Sequence, residues 1–258
     1  MTKTIWCLVL ILSWAAVCSA QTVLYFPQFV DGSQNGSSGV TWQSAIVITN
    51  PAAPATPVAS GSITLTQDNG SPMNLTFVDE NGASLPSTFQ LSGGQTALFQ
   101  SPQSNSTSPL PFSSGFATVT SSLPVTGGLV FFESNSSGTF ATAGVPPATA
   151  LTKQGSVAVV FKETNSSTDV GIAFANPTAS TATITFSLLD RSGNLIVPQA
   201  TRTMATKNHT AFYVSQLFPN APLPVIGTLR ITSDNAVACI ALLFQNATFG
   251  SLPIFSVN

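Results

Sequence analysis

Two octapeptides constrain the fold of this chain more than anything else in it. Ser44 to Pro51 reads SAIVITNP and Val170 to Pro177 reads VGIAFANP, each a run of small and branched apolar residues stopped at Asn-Pro. Branched side chains favour extended backbone, and proline has no N–H to give to a ladder, so each phrase predicts a strand that ends at its Asn. The repetition continues beyond these two phrases. Gly115 and Gly227, Ser121 and Ser233, and Val125 and Val237 each stand 112 residues apart, in a shared Gly-x-x-x-(Val/Ile)-Thr-Ser-x-x-x-Val pattern. Asn50 and Asn176 are 126 apart, and the excess falls in a Pro/Ala-rich excursion over 52–61 and the turn beyond it. A duplicated unit of about 110 residues, with strands and turns at this spacing, is the size of an immunoglobulin-like sandwich. The expected fold is therefore all-β: two tandem Ig-like β-sandwich lobes related by an internal repeat, at 21–150 and 151–258.

The local patterns agree. Thr183 to Leu189 alternates Ile184, Phe186 and Leu188 against Thr183, Thr185 and Ser187, the period of a strand with one face buried. Asp79-Glu80-Asn81-Gly82 and Asp190-Arg191-Ser192-Gly193 read as turns, with Gly where positive φ is needed. Val23 to Phe29 reads as a strand, and Asp31 to Gly39 as a Gly/Ser-rich loop. No stretch has convincing helical periodicity; Gln216 to Pro219 is expected to make a single helical turn.

Residues 1–20 read as a secretory signal peptide, with Lys3 ahead of an apolar Ile5 to Val17 and small Ser19 and Ala20 before Gln21. The apolar run is shorter than the roughly 20 residues of a membrane span, so no span is expected after signal cleavage. Acylation at Cys18 would need a small residue where Val17 stands. The expected location is secreted or cell surface. Only 6% of residues are charged, against about a quarter in ordinary soluble domains, and no basic patch offers itself to a phosphate backbone, which sets nucleic acid aside. Cys239 is the single cysteine beyond the signal, so no internal disulfide is expected; within Val237 to Leu242 it reads as a buried thiol. Eight Asn-x-Ser/Thr sequons are accounted for by a composition rich in those residues.

The chemical inventory is thin. His209 is the sole histidine and no nucleophile-elbow motif accompanies it, so a Ser-His-Asp arrangement is not expected and His209 reads as a strand-end residue. One His and one mature Cys do not make a transition-metal site. Asp31-x-Ser33-x-Asn35-Gly36 places oxygen ligands as a calcium loop does, but Trp42 stands where the bidentate Glu belongs, and a Gly-rich turn is the expected structure. Glu133 and Glu163 are the one carboxylate pair worth weighing for glycoside hydrolysis. No catalytic residue, metal or cofactor is assigned. The candidate ligand-binding residues are Trp42, expected to be exposed beside a loop and able to stack on a sugar, with Asp31 and Asn35 from that loop.

Several phrases carry a resemblance: Phe26-Pro27-Gln28-Phe29-Val30-Asp31-Gly32 with Trp42, Gly171 to Pro177, Leu217-Phe218-Pro219, Gly227 to Ser233, and Phe249 to Ile254. Across the whole mature chain they resemble a family of uncharacterised exported two-lobed β-sandwich proteins of soil bacteria, acidobacteria in particular. The family's Asp-Gly-Gly-Gly-Trp is here stretched by Ser33 to Thr41. The resemblance implies fold and export, and supplies no activity. The function expected from all this is an exported non-catalytic surface module for adhesion, binding or spacing, with a polysaccharide or a cell-envelope protein as partner. The alternative is a carbohydrate-binding module around Trp42; a secreted glycan hydrolase stands behind both.

Overall fold

A computed structural model describes residues 21–33, 39–54, 57–103, 110–148, 150–151, 154–161, 168–246 and 248–256. Nearly all of the described chain is antiparallel β. The first half holds β1 (Thr22–Ser33), β2 (Thr41–Thr49), β3 (Ala59–Gln67), β4 (Phe77–Val78), β5 (Ser84–Leu85) and β6 (Thr88–Leu91). It continues with β7 (Thr96–Gln100), β8 (Ser113–Ser121), β9 (Thr126–Asn135) and β10 (Gly138–Val145). The second holds β11 (Ala150–Leu151), β12 (Gln154–Phe161), β13 (Thr168–Ala175), β14 (Ala182–Leu189), β15 (Ala200–Met204) and β16 (His209–Tyr213). A single turn of helix, α1 (Val214–Leu217), precedes β17 (Val225–Ser233), β18 (Val237–Gln245), β19 (Thr248–Leu252) and β20 (Phe255–Ser256). No described helix is long and apolar enough to cross a membrane.

In the first half the layer β1-β8-β3-β6 and the layer built on β2, β7, β9 and β10 are parts of one sheet, because the end of β1 pairs with β2 at Gly32–Trp42 and Ser33–Thr41. Pro27 sits where the β1–β8 register slips, between Phe26 and Phe29. Lacking an N–H, it cannot hold the ladder, and the bulge lets both Phe26 and Phe29 be fully buried despite their odd spacing. In the second half β15-β14-β17-β12-β20 forms one sheet and β11-β18-β13-β16, with β19 on β18, the other. Pairings β1–β2, β4–β5, β4–β7, β11–β18 and β12–β20 have no counterpart in the other half, but six match strand for strand: β1–β8, β3–β8, β3–β6, β2–β7, β2–β9 and β9–β10 in the first half. Their counterparts are β12–β17, β14–β17, β14–β15, β13–β16, β13–β18 and β18–β19 in the second.

The sequence expectation for Asp31 needs correcting. Strand β1 runs on through Asp31 to Ser33, so Asp31 is a buried strand residue and not a turn residue. Pairing with β8 and then β2 carries the strand past the point where its Gly content predicts a loop.

The repeated sequence signals have specific physical jobs. Gly115 and Gly227 lie under a neighbouring strand: a Cβ on either would come within 1.9 Å of a carbonyl oxygen, Thr66 for the first and Leu189 for the second. Any side chain there is excluded. Asn50 and Asn176, both fully buried, close the strands that they end. Asn50 donates from Nδ2 to the Leu91 carbonyl at 2.9 Å and accepts from the Ala52 N–H at 3.1 Å. Asn176 donates to the carbonyls of Ser180 (2.7 Å), Met204 (3.3 Å) and Ala205 (3.0 Å), and accepts from Thr178 N–H. Each Asn so ties its strand end to the facing layer, at the buried Leu91 that ends β6 and the buried Met204 that ends β15. Asp79 and Asp190 accept from the N–H groups two and four residues on, with Gly82 and Gly193 at positive φ, as the turn reading expects.

The main apolar cores follow the two halves, with Phe29, Ile46, Phe77 and Leu129 at the centre of one and Ile172, Phe174, Phe186 and Leu229 of the other. Cys239 is buried and free, and burial pushes its thiol well above the ordinary value. Replacing Asn176 by Ala removes a donor from the buried Met204 carbonyl and from those of Ser180 and Ala205, which keep the Thr178 hydroxyl and the Asn208 N–H, and leaves the Thr178 N–H and hydroxyl without their acceptor. We expect a loss of about 2–4 kcal/mol in urea unfolding, and a smaller loss for Asn50→Ala, which frees only the Leu91 carbonyl.

Candidate ligand-binding cleft at the seam

Strand β13 has two unlike faces. Val170, Ile172 and Phe174 enter the second core, while Gly171, Ala173 and Ala175 point the other way. A polar outer face would mean solvent; a Gly/Ala face means something packs close. That something is the first half: Ala173, Ile240, Leu242 and Phe249 belong to the same apolar cluster as Phe26, Phe131, Ala141 and Ala143. The cluster of Phe116, Ala175 and Ala238 extends the seam.

The seam does not close completely. A cleft of about 570 Å³ remains, with Gln28, Val30, Trp42, Asp68 and Phe131 on the first-half side. The second half contributes Ala173, His209, Ala211, Tyr213, Gln216 and Phe244. One end is clasped by polar contacts. His209, buried, donates from Nδ1 to Asp68 Oδ1 (2.7 Å), its Nε2 lies 2.8 Å from the Gln28 amide oxygen, and its backbone N–H bonds the Asp68 carbonyl (3.1 Å). Burial pushes the Asp68 carboxyl up, but the hydrogen bond and charge of His209, helped by Ser114, outweigh it and hold Asp68 below its usual value. Both imidazole nitrogens are engaged, and neither faces a hydroxyl nucleophile, so His209 joins the two halves as a positioning residue. It begins β16, as the sequence suggests; its partners come from β1 and the end of β3 and could not be read from it.

The other end is aromatic. Trp42 packs on Phe249 (centroids 5.5 Å apart), Phe249 on Phe244 (5.4 Å), and Phe244 edge-on against Tyr213 (5.2 Å). The Phe244 ring lies over Gly171, where a Cβ would approach it to 2.7 Å. The expected exposure of Trp42 is thus corrected: Phe249, from the far end of the chain, covers part of the indole, and Nε1 is buried with no hydrogen-bond partner among the described residues. Glu133 is the cross-strand partner of Trp42, and Asp169 that of Phe244. Burial raises the Glu133 carboxyl. Burial, then the charges of Asp169 and Glu133, raise the Tyr213 hydroxyl. Asp169 also accepts from the Ser215 hydroxyl and backbone N–H, fixing the first turn of α1 beside Tyr213.

Of the three ligand residues expected from sequence, only Trp42 reaches this cleft. Asp31 does not line it, and Asn35 lies outside the described residues, as does Glu163 of the carboxylate pair. Asp31 is 5% exposed, with Oδ1 unpartnered among the described residues. Burial raises it from 3.8 to about 6, against the opposing bonds from Ser101 and Gly32. No group of three His, Cys, Asp or Glu suited to a metal occurs among the described residues.

The raised Asp31 works against the fold at neutral pH. Its stabilising contribution is complete below the unfolded value of 3.8 and is lost as pH rises through about 6. Asp31→Asn should therefore stabilise the protein by up to about 3 kcal/mol at pH above 7, with little change at pH below 4. Urea midpoints of both proteins across that range test the sign.

A scan against protein-family models and a search of the curated proteins find no match. Among solved structures, the structure of infectious bursal disease virus Gx strain aligns over 88% of this chain and 73% of its own, at 10% identity. Its TM-score of 0.17 is too low to carry any argument.

Proposed function

We propose that the protein is an exported, non-catalytic surface module, made of two Ig-like β-sandwich lobes related by an internal repeat, that binds its partner in the cleft between them. The leader-like residues 1–20 support export, and the strand-for-strand pairings of the two halves support duplication. The observation that carries the binding role is the cleft itself: a concave, mainly apolar space with an aromatic wall and a few fixed polar groups, the composition of ligand sites in general. Its histidine is engaged on both nitrogens in holding the seam, which favours binding over acid–base chemistry. A cell-envelope protein or a polysaccharide fits this role. The carbohydrate reading is specifically favoured by the aromatic run from Trp42 to Tyr213, since sugars stack their apolar faces on such rings.

The purified mature chain, Gln21 to Asn258, passed over immobilised polysaccharides and envelope extract, tests the proposal. Retention should fall at least about tenfold on Trp42→Ala. It should fall likewise on Ala211→Trp, which fills the cleft from an exposed position while leaving both cores intact. Retention unchanged in both variants would move the site elsewhere.

A further inference from the structure

Apart from His209, which is paired with Asp68, the charges around the cleft are of one sign. Asp68 lines it, and Glu133 and Asp169 stand beside its aromatic wall, each directly across a strand pair from a ring, Trp42 or Phe244. Directly opposed residues share a face of the sheet, with Cβ atoms about 5 Å apart, so both carboxylates rise on the same side as those rings. Their charges reach the Tyr213 hydroxyl from opposite halves of the molecule. No Lys or Arg among the described residues lines the space. In a chain with only 9 acidic residues, three at one cleft are a concentration that neither turn formation nor solubility requires. Asp169 has a structural partner in Ser215, and Asp68 in His209. Glu133, half-buried and raised by burial, has none among the described residues.

Aromatic faces beside desolvated carboxylates form a site for a cation: the ring quadrupoles attract positive charge, and an incoming ammonium relieves the burial cost of the carboxylates. The polar groups that line the rest of the space, Gln28, Ser114, Thr210 and Gln216, suit hydroxyls. We infer that the ligand of the cleft is an amino sugar with a free, protonated amine, stacked on the Trp42–Tyr213 wall with its ammonium between Glu133 and Asp169. This rests on the reading of the cleft as the binding site and specifies what it takes.

Calorimetric titration of the mature chain at mildly acidic pH, with short oligosaccharides of glucosamine, of N-acetylglucosamine and of glucose, tests both. The glucosamine oligomer should bind roughly tenfold or more tightly than its acetylated counterpart, and added salt should erode the difference. Glu133→Gln, which keeps the side-chain shape, should abolish the preference without lowering the thermal unfolding temperature. Asp169→Asn is the poorer probe, because it also disturbs α1. Equal affinity for all three oligomers, lost on Trp42→Ala, would overturn the charge inference and leave the cleft as the binding site. Binding of a lysine-bearing peptide but of no sugar would overturn the amino-sugar assignment in favour of a protein partner. Binding of the glucosamine oligomer undiminished by Trp42→Ala, Ala211→Trp and Glu133→Gln would overturn both readings together.

Discussion

Strand β13 carries two obligations at once, and the rest of the molecule is arranged around how it meets them. Its Val170, Ile172 and Phe174 side fills the core of the second half; its Gly171, Ala173 and Ala175 side is the floor on which the first half rests. Large residues on one face supply buried apolar area, about 1.5–3 kcal/mol for each such side chain. Small residues on the other let a second body approach the backbone. Asn176 then ends the strand by satisfying carbonyls of the opposite sheet. Branched residues on the small-residue face would push the first half away and remove the cleft with the seam.

Charged and buried polar side chains are few, and most are committed. The two buried asparagines serve the backbone, and the turn aspartates serve their own turns. His209, with Asp68 and Gln28, is a polar clasp between halves otherwise joined by apolar contact. Asp31 and Asp68 respond to burial in opposite ways. Both are penalised by it, but Asp68 has an imidazole partner that more than offsets the penalty, whereas Asp31 has only hydroxyl and backbone donors and keeps one oxygen unpartnered. Acid therefore weakens the clasp at Asp68 while relieving the strain of a buried charge at Asp31.

Much of the strand order was legible because its signals are local. Alternation in Thr183 to Leu189, Asn-Pro at two strand ends, Gly after Asp-x-x in the turns and the 112-residue spacing of Gly115 and Gly227 each act within a few residues or on an adjacent strand. Where local reading failed, a distant partner had overruled it. Asp31 to Ser33 looks like a loop from its own composition, but β8 and β2 extend the strand through it. Trp42 looks exposed beside that loop, but Phe249 lies on it.

By itself the sequence determined a chain of short strands and turns with little charge, because periodicity, turn chemistry and composition are properties of neighbours along the chain. The alternation of Gly171, Ala173 and Ala175 with Val170, Ile172 and Phe174 stands in the sequence, but it does not say what lies on the small-residue face. Only the tertiary structure decided what covers it, and which side chains meet there: Gln28 and Asp68 with His209, Trp42 with Phe249, and Phe244 with Tyr213. Those pairs are separated by up to some two hundred residues, and nothing in their own neighbourhoods encodes the other member. The packing of one half on the other brings them together, and with them the cleft.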